Sequence, residues 1–174
     1  MSNWNKVFKP IVVLCAICVV ITGALAATNS VTAPIIEAAT IAAQNAARQE
    51  LAPEATAFEA VEGISVENVS DIYMGDNGEA VITCAGKGYG GTITVMVAFT
   101  TDGVVKQIKI TEQSETQGLG SKIVSEASFQ ESFAGLAAEP FEVTDIAAIS
   151  GATISSKAVT AAVNAAIEAY NMIP

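Results

Sequence analysis

Residues 92–110 read TITVMVAFTTDGVVKQIKI, and this stretch determines the fold class. Its first eight residues are apolar or β-branched, which is typical of a buried strand. Asp102 and Gly103 form a turn signal, and the seven residues that follow alternate between two faces of a second strand. The stretch therefore predicts a strand at 92–99, a tight turn and a strand at 104–110.

Two more strands are predicted upstream, at 69–74 and 80–85. They flank Gly75-Asp76-Asn77-Gly78, a sequence that favours a hairpin turn. Because short turns join antiparallel strands, the four segments predict an antiparallel sheet of about four strands.

Downstream of the sheet the period changes from two to that of a helix. We expect short amphipathic helices at 122–128 and 129–135, a last strand at 141–146 and a final helix from Ser155 to about Asn171. The apolar stripe of the final helix is Val159, Ala162, Val163, Ala166, Ile167 and Tyr170, and its polar stripe is Lys157, Thr160, Asn164, Glu168 and Asn171. The fold class is α+β, with one folded domain.

The N-terminal segment carries a long uncharged run, IVVLCAICVVITGALAA at 11–27, which Pro10 and Thr28 extend. At ~1.5 Å per residue a helix at 10–28 just crosses a hydrocarbon core of ~30 Å. Lys6 and Lys9 precede the run, and positive charge stays in the cytoplasm. The sequence predicts a cytoplasmic N-terminus at 1–9, with Trp4 as an interface anchor, one span, and a main domain outside the cytoplasm.

A cleaved signal peptide is the alternative, since Ala24-Leu25-Ala26 resembles a cleavage site. The length of the apolar run favours a retained anchor. Pro34 is expected at the first turn of a juxtamembrane helix within 29–53, which Pro53 ends. The folded domain is then 54–174.

Charge and composition exclude several functions. Residues 28–174 hold six basic and 18 acidic residues, a net charge of −12, which excludes nucleic acid as a partner. No histidine is present, so we expect neither the usual zinc sites nor a Ser-His or Cys-His nucleophile. Cys15 and Cys18 are expected as apolar fillers of the span, and Cys84 alone implies no disulfide framework.

Three segments rich in small residues, here called the corners, lie where elements begin or end. They are GKGYGG at 86–91, ETQGLGSK at 115–122 and SGAT at 150–153, which Ser155 and Ser156 follow. Taken alone, each corner is typical of a turn or a helix cap. Together, with Lys122 and Lys157 beside them, they indicate a cleft for a phosphate-bearing ligand, because two corners open helices. Neither G-x-G-x-x-G nor the P-loop pattern fits.

The ordered segments KGYGGTITVMVAFTTDGVVKQIKI, ETQGLGSKI and ISGATISSKAV, behind an anchor followed by TAPIIEAA, resemble the G subunits of Rnf electron-transport complexes. The C subunit of the sodium-translocating quinone reductase is similar in its FMN-binding domain. The resemblance implies an FMN joined by a phosphoester to Thr153, an attachment made by a separate flavin transferase. It also implies a single-pass subunit of the cell (inner) membrane, lying in the bilayer with other membrane subunits. Such a complex is an oxidoreductase that couples electron transfer between ferredoxin and NAD to Na⁺ or H⁺ transport.

The three corners supply the other candidate cofactor-binding residues, and we expect no catalytic residue or metal ligand. Beside Thr153 these are Ser150, Gly151, Ala152, Ser155 and Ser156 at the third corner, Tyr89, Gly90 and Gly91 at the first, and Glu115, Thr116, Gly118, Leu119, Gly120 and Lys122 at the second. Glu115 is expected either to bond the flavin ring or to cap a turn. Ala147 stands where the family pattern has Asp, with Asp145 nearby, and Gln117 stands where Pro is commoner.

Two other functions fit the same residues. One is a membrane-tethered extracytoplasmic ligand-binding or accessory domain without a redox role. The other is an FMN-domain carrier for extracellular electron transfer.

Overall fold

The structure is a computed structural model that describes residues 8–174. Trp4 and Lys6, on which the interface anchor and part of the orientation rest, lie outside the described residues. The chain divides into two compact units at residue 43, and each is described by itself.

Helix α1, Lys9–Leu51, begins in the first unit and ends in the second. Its N-terminal part is long and apolar enough to cross a membrane. Pro34 lies inside α1, so the expectation that it opens a second helix is wrong. Proline removes one N–H donor, and the alanine-rich residues around it are strong helix formers that continue the helix. Within the helix, Thr28 and Thr32 donate their hydroxyls to the carbonyls of Ala24 and Thr28.

The second unit is built on a five-stranded antiparallel sheet, which confirms the α+β class. The strands are β1 Phe58–Ala60, β2 Val69–Gly75, β3 Ala80–Lys87, β4 Thr92–Phe99 and β5 Val105–Glu112, and they lie in the order β1-β2-β3-β4-β5. Four of them match the four predicted strands. β1 was missed because three residues are too few to display a period of two.

The predicted turns join the strands as expected. Gly78 between β2 and β3 has φ +84°, and Gly103 between β4 and β5 has φ +76°. Glycine adopts this left-handed region without the steric cost that a Cβ brings. The turn residues therefore fix the register of both hairpins.

The final helix, α4 Thr153–Tyr170, packs on one face of the sheet. Its predicted apolar stripe is buried from Val159 to Ile167, and Tyr170 stacks on Phe99 with ring centroids 4.6 Å apart. Thr160, expected on the polar stripe, is buried, and its hydroxyl is satisfied there by donating to the carbonyl of Ser156 at 3.0 Å.

The C-terminal end of α1 covers part of the other face of the sheet. Ala47 and Leu51 join a buried cluster with Val81, Met96 and Ala98. The last turn of a helix leaves its carbonyls unpaired. Here the Gln107 side chain donates to the carbonyls of Glu50 (3.2 Å) and Leu51 (3.0 Å) and so caps the helix. Arg48 is buried with its guanidinium 3.7 Å from the centre of the Tyr73 ring.

Two short helices, α2 Lys122–Ser125 and α3 Ala127–Glu131, lie near the two predicted ones. The predicted strand at 141–146 is wrong, since Val143–Asp145 form a 3₁₀ turn. The backbone N–H and C=O of Phe141 bond the amide of Asn164 in α4 instead of a neighbouring strand. The carboxylate of Asp145 accepts the N–H of Glu142 at 2.8 Å, which closes the turn.

Candidate functional site

A cavity of about 330 Å³ lies where the three corners meet. The first corner contributes Tyr89, the second contributes Glu115, Thr116, Leu119 and Gly120, and the third corner with the start of α4 contributes Gly151, Ala152, Thr153, Ile154 and Ser155. The fold thus gathers segments that are up to about sixty residues apart in the sequence. This convergence is what the small-residue pattern predicted.

The carboxylate of Glu115 holds the corners together. One oxygen accepts the N–H of Gly90 at 2.8 Å, and the other accepts the hydroxyl of Ser155 in the first turn of α4. Glu115 is 8% exposed, so both bonds are shielded from water. The sequence predicts that Glu115 either contacts a ring of the ligand or caps a turn. In the structure its carboxylate bonds other groups of the chain and so links the three corners.

Glycine is needed around this carboxylate because the loops approach it closely. A Cβ on Gly120 would lie 2.5 Å from one Glu115 oxygen and 2.8 Å from the Ser155 hydroxyl. A Cβ on Gly88 would lie 2.5 Å from the other Glu115 oxygen, and one on Gly90 would overlap the carbonyl of Ser114. Since real Cβ atoms do not tolerate such contacts, side chains at these positions would force the corners apart.

The N-terminus of α4 opens into the cavity with free backbone donors. Its N-cap is Ala152, whose methyl side chain cannot accept a hydrogen bond from the helix. Within residues 8–174, the amide N–H groups of Thr153, Ile154 and Ser155 have no hydrogen-bond partner. Free N–H groups and the positive end of the helix dipole attract an anion. Thr153, the first residue of the helix, is exposed at this position.

The third corner depends on the backbone conformation of Gly151 rather than on open space. Its φ is +82°, a region that favours glycine. A Cβ at Gly151 would meet only Leu119 Cδ1, at 3.6 Å, which is an ordinary contact. The backbone conformation therefore gives a reason of its own for glycine at position 151. Ala152 is packed into the core.

The structure keeps six of the expected site residues off the cavity lining. They are Gly90, Gly91, Gly118, Lys122, Ser150 and Ser156. Gly90 still acts on the site through its bond to Glu115. Lys122 lies 3.8 Å from Glu126 in an ion pair, and the buried Ser156 accepts the N–H of Ile149 at 3.2 Å. Gly91 lines a neighbouring groove of about 400 Å³ that also includes Tyr89.

Ile154 is a lining residue that the sequence did not predict. Its signal was present, because an isoleucine lies on the polar side of α4, three residues before Lys157. The exposed fractions are 76% for Tyr89, 52% for Leu119 and 53% for Ile154. Only two other large apolar side chains of residues 44–174, Val124 and Met172, are comparably exposed. Large apolar side chains exposed together around a cavity are typical of a ligand or partner site.

Cys84 does not belong to the site. It is buried in β3, and its thiol donates to the carbonyl of Val95 at 3.2 Å. Burial raises the pKa of the Cys84 thiol well above its usual range, because the charged thiolate would lose its hydration. The residue is therefore an inert part of the core.

Comparison with known families finds two matches along the chain. The model of the FMN-binding domain matches residues 88–168, a range that contains all three sides of the cavity. The model of the RnfG N-terminal region matches residues 1–51, a range that ends with α1.

Full-length relatives are similar over nearly the whole chain. The G subunit of the Na⁺-translocating ferredoxin:NAD⁺ oxidoreductase complex of Acetobacterium woodii is 36% identical over 97% of this chain and 93% of its own length. The G subunit of the proton-translocating ferredoxin:NAD⁺ oxidoreductase complex of Clostridium ljungdahlii is 33% identical over 96% and 93%. The G subunit of an ion-translocating oxidoreductase complex of Methanosarcina acetivorans is 29% identical over 97% and 96%.

Proposed function

The chain belongs to the family of Rnf complex G subunits, and from this premise we propose that it carries electrons through a covalently bound FMN in a membrane complex. It is one subunit of an ion-translocating ferredoxin:NAD⁺ oxidoreductase and works with the other subunits of that complex. The relatives are named for Na⁺ in one case and for protons in another, and the proposal includes either ion.

The cavity has the chemistry that an FMN needs. Its volume of about 330 Å³ falls in the range of small-molecule sites, and its lining includes both polar and apolar residues. Three free N–H groups at the start of α4 suit the phosphate, and the exposed side chains of Tyr89, Leu119 and Ile154 suit a flat aromatic ring. When bound, FMN supplies the redox chemistry, since its ring system accepts and releases electrons.

We place the attachment at Thr153. Its hydroxyl is at the first position of α4, on the exposed side, and next to the free N–H groups. In the attachment the Thr153 Oγ loses its proton and forms a bond to the flavin phosphorus, while the leaving group of an activated flavin nucleotide departs. A flavin transferase provides that nucleotide and the base. The resulting phosphodiester keeps one negative charge, which the helix N-terminus stabilises.

Glu115 and its glycine neighbours hold the site in one arrangement without contacting the reacting atoms. By fixing the first turn of α4 against the other two corners, Glu115 keeps the Thr153 hydroxyl and the exposed apolar residues on one cavity. A preorganised site spares the ordering cost that a flexible one would have to meet on binding.

We propose that residues 10–28 span the membrane with residues 1–9 in the cytoplasm, and that 29–53 connect the span to an extracytoplasmic FMN-binding domain at 54–174. Lys9 precedes the apolar run and the first acidic residue is Glu37, which supports this orientation. The family match over residues 1–51 supports a retained anchor rather than a cleaved signal, because it includes the span and the helix beyond it.

The observation that carries the proposal is the exposed Thr153 hydroxyl beside three unpartnered amides on an FMN-domain cavity. The full chain should be produced in a host that contains a flavin transferase and resolved on a denaturing gel. We expect flavin fluorescence in the protein band, and the tryptic peptide 123–157 should carry the mass of one FMN on Thr153.

Thr153→Ala should abolish both signals. Thr144→Ala, an exposed threonine of the same tryptic peptide, is the matched control and should keep them. A wild-type chain from such a host without flavin on Thr153 would show that covalent attachment is wrong.

A further inference from the structure

Lys157 lies one helical turn beyond Thr153, and both side chains are on the exposed side of α4. Residues four apart on a helix are surface neighbours, with Cβ atoms about 5–6 Å apart. Side chains on a helix tilt toward its N-terminus, so a long one covers the turn that precedes it. From its position, the Lys157 side chain can therefore reach the turn that carries the Thr153 hydroxyl.

The other lysines of the sheet domain have different surroundings. Lys106 pairs with Glu79, Lys109 with Glu50 and Lys122 with Glu126. Among residues 44–174, Lys157 and Lys87 are the lysines without an ion pair. Lys157 stays unpaired although the chain beyond the span is strongly acidic, with a net charge of −12 over residues 28–174.

The helix itself offers Lys157 no partner. The first turn of α4 contains no acidic residue, and a cation near a helix N-terminus opposes the dipole. An unpaired lysine at this end therefore lacks a stabilising neighbour within the described chain. A phosphate on the preceding turn would supply the missing negative charge, and the same phosphate would satisfy the free N–H groups.

We propose that Lys157 is a positioning residue for the FMN phosphate: its ammonium pairs with the phosphodiester on Thr153 and holds it against the first turn of α4. This inference rests on the proposed attachment at Thr153. The pairing fixes the phosphate end of the cofactor, so that the ring system lies on the side of Tyr89 and Leu119 instead of swinging into solvent. Lys122, already paired with Glu126, does not take this role.

The test compares Lys157→Gln with Lys157→Arg, which keeps the charge, and with Lys87→Gln, which removes the other unpaired lysine. Lys87 lines the neighbouring groove and not the cavity. Each full-length variant is purified with its flavin in detergent, its folding is checked by circular dichroism, and loading is measured by in-gel fluorescence per protein. Flavin fluorescence anisotropy and the ³¹P shift of the phosphodiester are then recorded at low and high salt.

In Lys157→Gln, we expect the equilibrium between phosphate held against the first turn of α4 and phosphate released from it to shift roughly two- to fivefold toward release. This is the scale of an exposed ion pair at a helix end. Anisotropy falls and the ³¹P shift moves, and raising the salt concentration has the same effect on the wild type but little on the variant. Lys157→Arg and Lys87→Gln should resemble the wild type. Lys157→Gln could fail to acquire any flavin. In that case, normal flavin content in both Lys157→Arg and Lys87→Gln supports the proposal. A Lys157→Arg variant that also lacks flavin overturns it.

Wild-type values of loading, anisotropy and ³¹P shift in Lys157→Gln would overturn the role of Lys157 while leaving the attachment intact. Equal changes in Lys87→Gln would also overturn it, because they would reveal a general charge effect. A wild-type chain without flavin on Thr153 would overturn both proposals.

Discussion

The carboxylate of Glu115 accepts the hydroxyl of Ser155, and this bond joins the loop after β5 to the first turn of α4. The same carboxylate accepts the N–H of Gly90. Two donors on one buried acceptor group give the site a single arrangement, because releasing either donor would leave a buried polar group without a partner. The position of Thr153 thus depends on Glu115, a residue far earlier in the sequence that need not touch the cofactor.

Replacing Glu115 by Gln should loosen this link. A neutral amide can still accept the N–H of Gly90, but the Ser155 hydroxyl then has to turn and accept from its NH₂ group, and both bonds lose the strength that the carboxylate charge gives them. We expect the free energy of unfolding of the sheet domain to fall by about 1–3 kcal/mol and flavin loading to fall with it. Denaturant titration followed by circular dichroism measures the first effect, and in-gel fluorescence measures the second.

Glu112→Gln is the control for this change, because Glu112 is exposed at the end of β5. It should leave both quantities near their wild-type values. Equal stability of Glu115→Gln and the wild type would mean that the carboxylate does not hold the corners.

Substitution of Gly151 should follow backbone preference and not side-chain size. At φ +82° alanine costs about 1–2 kcal/mol, asparagine less and valine more. Since asparagine is larger than alanine, crowding would rank asparagine as the worse of the two, whereas strain ranks it as the better. Stability and flavin loading of the Asn, Ala and Val variants should therefore decline in that order, and the reverse order of Asn and Ala would refute the conformational account.

The sequence predicted those parts of the fold that local pattern controls. The strand 92–99, the turns at Gly78 and Gly103 and the apolar stripe from Val159 to Ile167 are all encoded by nearby residues, through period and turn chemistry. The failures at Pro34 and at 141–146 have different causes. The helix-forming residues around Pro34 continue the helix through it, whereas at 141–146 a distant side chain, Asn164, bonds both backbone groups of Phe141.

The candidate site was predictable as a set of segments but not as a geometry. Nine of the residues expected from the small-residue corners and the family resemblance line one cavity. The bond from Ser155 to Glu115 joins positions forty residues apart, so no local sequence pattern predicts it. Ile154 was missed because an exposed isoleucine on a helix is common in proteins and becomes informative only beside Tyr89 and Leu119.

The Asp76 carboxylate gives the domain a defined response to acid. Asp76 accepts bonds from the backbone N–H of Thr56 (2.9 Å) and from its hydroxyl, and the hydroxyl bond is the larger cause of its lowered pKa. Because the folded pKa lies below the ordinary 3.8, the bonds stabilise the fold above that value. Their contribution is lost as the pH falls from about 4 through the lowered folded pKa. Below pH 4, Asp76→Asn should therefore lose less stability than the wild type as acid is added.

Melting temperatures of both proteins between about pH 2 and pH 6 check this prediction. Asp102→Asn is the control, since Asp102 is an exposed aspartate of the other hairpin turn. Parallel curves for the wild type and Asp76→Asn would contradict the prediction.

Gly86 controls how closely α4 approaches the sheet, and Gly86→Ala should therefore disturb the site from a distance. A Cβ at Gly86 would overlap the carbonyl of Ala158, in the second turn of α4, so the helix has to move away from β3. Such overpacking costs about 1–3 kcal/mol of unfolding free energy and shifts the turn that carries Thr153 and Ser155. We expect lower thermal stability and reduced flavin loading, measured by a melting curve and by in-gel fluorescence.

Gly91→Ala is the control, because the nearest atom to a Cβ at Gly91 is Ser114 Cβ at 3.3 Å, and it should cost less stability. A Gly86→Ala variant as stable and as well loaded with flavin as Gly91→Ala would show that the contact between Gly86 and Ala158 does not position the helix.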